Sequence, residues 1–184
     1  MKTVYIITLI LIIIVVILAF VVLFYKYFNE KLFSLFKKLN DTEEEYNTKY
    51  NKKFDIVNRF IDEIINKYKT ESKVFDSVKK IDEVDTSIKT EKLLNKCYKE
   101  LVQIKEDKQK ARELKVFKEL INEYEENELS LISLRTYYNN YTVVYNNLLS
   151  KFPYNLIAKF KKYKVKNLLE GKELEIDFNN ELEV

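Results

Sequence analysis

The chain has 184 residues, with 32 Lys and Arg against 29 Asp and Glu, no His, no Trp, and one each of Cys, Gly and Pro. That inventory excludes a Ser-His-Asp triad and any His-based metal cage, and the single Cys97 can form neither a Cys-type zinc site nor an internal disulfide. With Gly171 standing alone near the C-terminus, neither a phosphate-cradling P-loop nor a Rossmann turn can be written, so most nucleotide chemistry is excluded too.

Within residues 4–25 every side chain except Thr8 is apolar or aromatic, and none is charged. A hydrocarbon core of about 30 Å takes about 20 helical residues at about 1.5 Å each, so this stretch predicts a transmembrane helix. A cleaved signal peptide would need a shorter apolar run and a small-x-small site. Ala19 is the one small apolar residue here, and the segment reads as an uncleaved anchor. Lys2 precedes it, whereas Lys26, Lys31, Lys37 and Lys38 follow. That bias predicts a single-pass protein of the cell membrane with its N-terminus outside and its body in the cytoplasm. Beyond residue 25 there are 31 basic against 29 acidic residues. Such a balance lacks the single-sign basic surface of a nucleic-acid protein, so no nucleic acid partner is expected.

Residues 26–152 contain no Gly and no Pro, a stretch that helices tolerate and that strands, needing turn residues every ~8–12 positions, do not. A first helix, about 27–68, carries Phe33, Phe36, Asn40, Glu43, Asn47, Tyr50, Phe54, Val57, Ile61, Ile64 and Tyr68 at alternating spacings of three and four. Val74, Val78 and Ile81 predict a short helix, and Leu93, Leu94, Tyr98, Leu101 and Ile104 another. Polar joints fall at 69–72, 82–90 and 105–112. A last helix, about 111–151, shows the same spacing through Leu114, Phe117, Ile121, Tyr124, Glu128, Leu131, Arg135, Tyr138, Thr142, Tyr145, Leu149 and Phe152, and is stopped by Pro153. The two long helices each measure about 60 Å. The expected fold is therefore all-α: a transmembrane helix followed by an antiparallel four-helix bundle of two long and two short helices, the short pair covering the distal half. The expected domains are an anchor at 1–25, the bundle at 26–158 and a tail at 159–184, basic and then acidic.

Glu128, Arg135 and Thr142 are polar residues in the inward row, seven apart. An antiparallel register sets Arg135 opposite residues 43–50, where Glu43, Glu44, Glu45 or Asn47 could meet its guanidinium. Two readings stay open: a network that fixes register, or a ligand pocket. Glu125-Glu126 and Asp82-Glu83-Asp85 could be imagined as acid–base groups. Adjacent helical residues point apart and nothing nearby supplies a nucleophile, which favours solvated faces. Asn40-Asp41-Thr42 and Asn140-Tyr141-Thr142 match the glycosylation pattern, a chance match in an Asn-rich chain. Further on, Lys159, Lys161, Lys162, Lys164 and Lys166 alternate with Phe160, Tyr163 and Val165. Contact with anionic lipid headgroups and a merely solvated tail are both compatible with that pattern.

Glu128, Arg135, Tyr138-Asn139, Tyr145-Asn146, then Phe152-Pro153 with Leu156 and Ala158 together resemble the C-terminal signature of the LemA family. The resemblance covers roughly residues 4–170, and Lys52-Lys53-Phe54-Asp55-Ile56-Val57 is similar to a motif of that family's first helix. Asn58 and Arg59 depart from the family's Pro-Asn, and its Tyr-Pro-x-Leu-Lys-Ala turn is missing. The resemblance implies a bacterial protein with one N-terminal membrane helix and a bromodomain-like up-and-down bundle of four helices. It implies no enzymatic activity and no cofactor, and it marks Glu128, Arg135, Tyr138, Asn139, Tyr145, Asn146, Phe152 and Pro153 as structural or interaction positions. The expected role is a membrane-tethered interaction or scaffold module with an unidentified protein partner. The alternative is a coiled-coil spacer of the envelope or division machinery, working as a homo-oligomer. A metal-free hydrolase is the third reading and lacks an activating partner.

Overall fold

The computed structural model describes residues 2–82, 84–108 and 115–171. They form five helices: α1 Lys2–Tyr68, α2 Lys73–Lys79, α3 Ile88–Lys108, α4 Lys115–Ser150 and α5 Tyr154–Lys161. Among the described residues there is no strand. The apolar segment and the first long helix are one element rather than two, because no Gly or Pro separates them. The expected positions at Leu114 and Glu83, and the acidic tail from 172 on, lie outside the described residues.

The chain divides into two compact units. One takes in Met1–Asn40 and Asn140–Asn167, the other Asp41–Asn139 and Leu168–Val184. In the second unit, Tyr46, Tyr50, Ile56, Val57, Phe60, Ile61 and Ile64 of α1 are buried with Phe75 and Val78 of α2, Leu94, Cys97 and Leu101 of α3, and Phe117, Leu120, Tyr124 and Leu131 of α4. Each such side chain contributes about 1.5–3 kcal/mol by leaving water. Aromatic rings meet within it: Phe60 lies 5.6 Å from Phe117 and Tyr98 stacks on Tyr124. α2 starts at Ser72, whose hydroxyl accepts from the Val74 amide at 3.1 Å. The unit that contains the anchor has its own contacts. Leu32, Leu39 and Tyr145 are buried, Phe28 meets Tyr154 edge-on at 5.1 Å, and Phe36 packs on Tyr163 at 5.0 Å.

The buried row of α1 differs from the expected one in its first half. It runs Leu32, Leu39, Tyr46, Lys53, Phe60, a strict step of seven, while Phe33 is exposed and Asn47 faces out. Apolar spacing misses this row because a lysine belongs to it. α4 follows expectation more closely: Phe117, Tyr124, Leu131, Arg135, Tyr138, Thr142 and Tyr145 are all buried, but Phe152, beyond the helix end at Ser150, is 74% exposed. The fifth helix was not expected at all. Pro153 occupies its N-cap and Tyr154, Ile157 and Ala158 its buried face. Proline there opens a new helix as well as closing the old one.

α1 and α5 both give way to a lysine in the left-handed region, Lys69 at φ 52° and Lys162 at φ 59°. After α5 the Lys162 and Tyr163 amides both donate to Ala158 O, a helix end normally completed by Gly. Replacing Lys69 or Lys162 by Gly should raise stability by about 1 kcal/mol. Thermal unfolding followed by circular dichroism would show it, and Ala at the same positions, which keeps the Cβ, should give no gain.

Candidate functional site

Arg135 is the largest fully buried side chain. One terminal nitrogen of its guanidinium donates to Tyr46 Oη at 2.8 Å and to both carboxylate oxygens of Glu91, at 3.1 and 3.2 Å. The carboxylate is thus shared by one nitrogen rather than met by a side-by-side fork. Glu91 lies in the first turn of α3, where the helix N-terminus favours negative charge. Burial works against the charged guanidinium, but the Tyr46 hydrogen bond and the charge of Glu91 outweigh it, and the Arg135 pKa stays above its ordinary value. Desolvation likewise pushes the Tyr46 phenol up, so it stays neutral. The residues expected to meet Arg135 were Glu43, Glu44, Glu45 or Asn47. Its acceptors include Tyr46 and Glu91, neither of them among those four, and Glu44, Glu45 and Asn47 are exposed.

Seven residues further along α1, Lys53 is equally buried and its Nζ comes 2.6 Å from Glu128 Oε2. The pair meets without hydrogen-bond alignment, so it is an ion contact. The Tyr124 ring lies 5.5 Å from the ammonium and shares in stabilising it. A step of seven up α1, from Tyr46 to Lys53, matches a step of seven down α4, from Arg135 to Glu128, so the two helices run antiparallel in this unit. Glu128, Arg135 and Thr142 therefore do not form one network. Glu128 and Arg135 have separate partners, and the buried Thr142 hydroxyl has none.

Asn139 and Asn146, at the edge of α4, act on main chain. Asn139 donates to Leu169 O at 2.8 Å and accepts from the Leu169 amide at 2.7 Å. Asn146 makes the same pair of bonds to the O and amide of Lys166, at 2.8 and 3.0 Å, and Tyr145 donates to Lys164 O at 3.2 Å. The non-helical stretch after Lys162 is thus a strap whose peptide groups are met by side-chain amides, as a neighbouring strand would meet them. Leu169 packs on the second unit's core, and Gly171 closes over Arg135. A Cβ there would fall 2.5 and 2.8 Å from the two terminal guanidinium nitrogens, and φ is +130°. The chain's only glycine stands where no side chain fits.

The other expected positions scatter. Tyr138 is buried in α4, Pro153 is half-buried and Phe152 exposed. Lys159, Lys161, Lys162 and Lys164 are exposed, while Lys166 reaches over the Phe36 ring at 5.9 Å. Glu125 and Glu126 face solvent, and Asp85 accepts from the hydroxyls of Ser87, at 2.9 Å, and Thr90, while Ser87 Oγ caps α3 by accepting from the Thr90 amide at 3.3 Å. Cys97 is buried, and burial pushes its thiol up to about 12, far from a reactive thiolate. Among the described residues no group of three His, Cys, Asp or Glu could hold a metal ion. Glu91, Tyr46 and Gly171 were not among the expected site residues, and Lys53 stood only in a family-like motif of the first helix without a partner, although a lone glycine in 184 residues is itself a signal of a special backbone position.

The model of the LemA family matches residues 42–180, and no curated protein and no solved structure matches the chain. The matched stretch contains both buried ion pairs and both asparagine clamps, and begins after the apolar segment.

Arg135→Met should cost about 3–5 kcal/mol by leaving Glu91 buried without its cation, and Glu91→Leu a similar amount. The double variant R135M/E91L should lose far less than either, which denaturant unfolding of the three proteins would measure. Gly171→Ala should cost about 1–3 kcal/mol through backbone strain and displacement of the strap. Its signature is faster amide exchange at Leu169 with helix content unchanged.

Proposed function

The chain belongs to the LemA family, and from that premise we propose a non-enzymatic, single-pass membrane protein whose helical body serves as an interaction or scaffold module of the bacterial cell envelope. In this reading α1 beyond the anchor, α2, α3 and α4 make an antiparallel four-helix bundle, and exposed helix faces meet a protein partner. The observation that carries the proposal is the surface of the N-terminal segment. An 18-residue window there has mean hydropathy 3.7 and none of it is buried. So large an apolar surface is stable in lipid and not in water. The same helix then enters a packed polar-surfaced unit, so whatever the body binds is held near the bilayer. The lysine excess after the segment supports a cytoplasmic body.

The spacer reading needs a continuous apolar stripe for self-association. Beyond the anchor and α5, the exposed large apolar side chains of α1, α3 and α4, Phe33, Ile88, Val116, Leu129 and Val143 among them, occur singly, which favours the scaffold. Single cysteines placed at the exposed Glu44 or Leu129 should be labelled by an impermeant maleimide only after intact cells are permeabilised. Buried Cys97 stays silent in that assay. Labelling of intact cells would reverse the orientation, and extraction of the full chain by alkaline carbonate would remove the membrane assignment.

A further inference from the structure

α5 is apolar on two faces. Tyr154, Ile157 and Ala158 turn inward, while Leu156 and Phe160, one turn apart, are 51% and 84% exposed, with Phe152 just ahead of them at 74%. A surface helix in water carries one apolar stripe. The outer stripe of α5 continues an apolar groove lined by Val21, Phe24, Tyr25, Phe152, Leu156 and Phe160. Three of those six belong to the last turns of the apolar segment, so α5 stands beside the end of the anchor and not further along the body.

Depth follows from the helix rise. If the hydrocarbon ends near Tyr25, Val21 lies about 6 Å inside it at about 1.5 Å per residue, and side chains sharing a groove with Val21 lie at the headgroup–acyl boundary where interfacial helices rest. Charge agrees with this placement. Segments 26–40 and 140–167 hold ten lysines and one carboxylate, Glu30, leaving 28 acidic against 21 basic residues for the unit without the anchor. Lys159, Lys161, Lys162 and Lys164 on and just after α5 are exposed. Tyr25 and Tyr27, both exposed, supply the aromatic residues that favour this depth.

We propose that α5 is a second membrane foot, lying in the interface of an anionic bilayer with Phe152, Leu156 and Phe160 inserted among the upper acyl carbons and the flanking lysines on the headgroups. The proposal rests on the membrane-anchored reading above. It gives α5 a task the anchor alone cannot perform: a single transmembrane helix leaves the body free to tilt and spin, and a lateral foot restricts both.

The chain has no tryptophan, so single-tryptophan variants of the full-length protein report depth directly. Phe20→Trp in the anchor, Phe160→Trp in α5 and Leu129→Trp in the unit without the anchor would be reconstituted in phosphatidylcholine vesicles containing phosphatidylglycerol and brominated lipid. Trp at position 160 should emit to the blue of water-exposed Trp and be quenched by bromines near the top of the acyl chain, Trp at 20 by deep bromines, and Trp at 129 by neither. Neutralising Lys159, Lys161, Lys162 and Lys164 to Gln, or omitting phosphatidylglycerol, should weaken quenching at 160 and leave position 20 unchanged. Water-like emission at 160 with position 20 quenched overturns the foot and leaves the anchor standing. Blue emission at 160 without bromine quenching means a protein surface, a second copy included, covers α5 and also overturns it. No quenching at position 20 removes the anchor and the foot together.

Discussion

A guanidinium held out of water is the constraint around which the second unit is arranged. An unpaired buried ion costs several kcal/mol, far more than the unit could spare. Arg135 therefore obliges α1 to present Tyr46, α3 to present Glu91 from its first turn, and the strap to pass overhead as glycine. Lys53 and Glu128 repeat the arrangement one heptad away between α1 and α4. Neither pair need add much net stability over well-packed apolar residues. What they do is penalise every other register, since a slip of one residue unmatches the Lys53–Glu128 pair if α1 moves and both pairs if α4 moves.

Much of the architecture was legible in residue spacing. A charge-free apolar stretch, the absence of Gly and Pro over more than a hundred residues, and the late three-four periodicity led to the helical class, the anchor candidate and the face of α4 that turns inward. The first half of α1 was misread by one residue, and the reason is physical: hydrophobic spacing assumes a buried position is apolar, and Lys53 is buried because Glu128 and Tyr124 neutralise its cost. Glu91 escaped for a related reason. Its partner lies 44 residues away in sequence, and a carboxylate in a helix's first turn is unremarkable until the fold brings the cation to it. Gly171 and the asparagine clamps depend on main-chain geometry, which side-chain patterns do not encode.

The family pattern acquires a physical content from these contacts. Glu128 and Arg135 are the α4 halves of two buried ion pairs, and the asparagines of the two Tyr-Asn pairs are the clamps on the strap. Of the two tyrosines, Tyr145 also holds the strap, at Lys164 O, and burial pushes its hydroxyl up to about 12, so it remains a donor throughout the physiological range. The signature thus describes how neighbouring positions of α4 are gripped, some by charge and some by peptide groups. The separation of charge along the sequence, basic in the unit with the anchor and acidic in the other, is a second organising feature, independent of those contacts.

The clamps have an evolutionary corollary. An amide that recognises only peptide N–H and C=O is blind to the side chain it holds, so the clamps themselves exclude only proline, which lacks the N–H, at positions 166 and 169; what constrains Leu169 further is its packing on the core. Length is another matter. Seven residues of helix and three of extended chain cover nearly the same distance, about 10.5 and 10 Å, and inserting or deleting one strap residue spoils that equality. Homologous sequences should therefore keep the residue count between the two clamped positions more strictly than the identity of the residues the clamps hold, with Gly171, which lies outside that interval, constrained for its own steric reason.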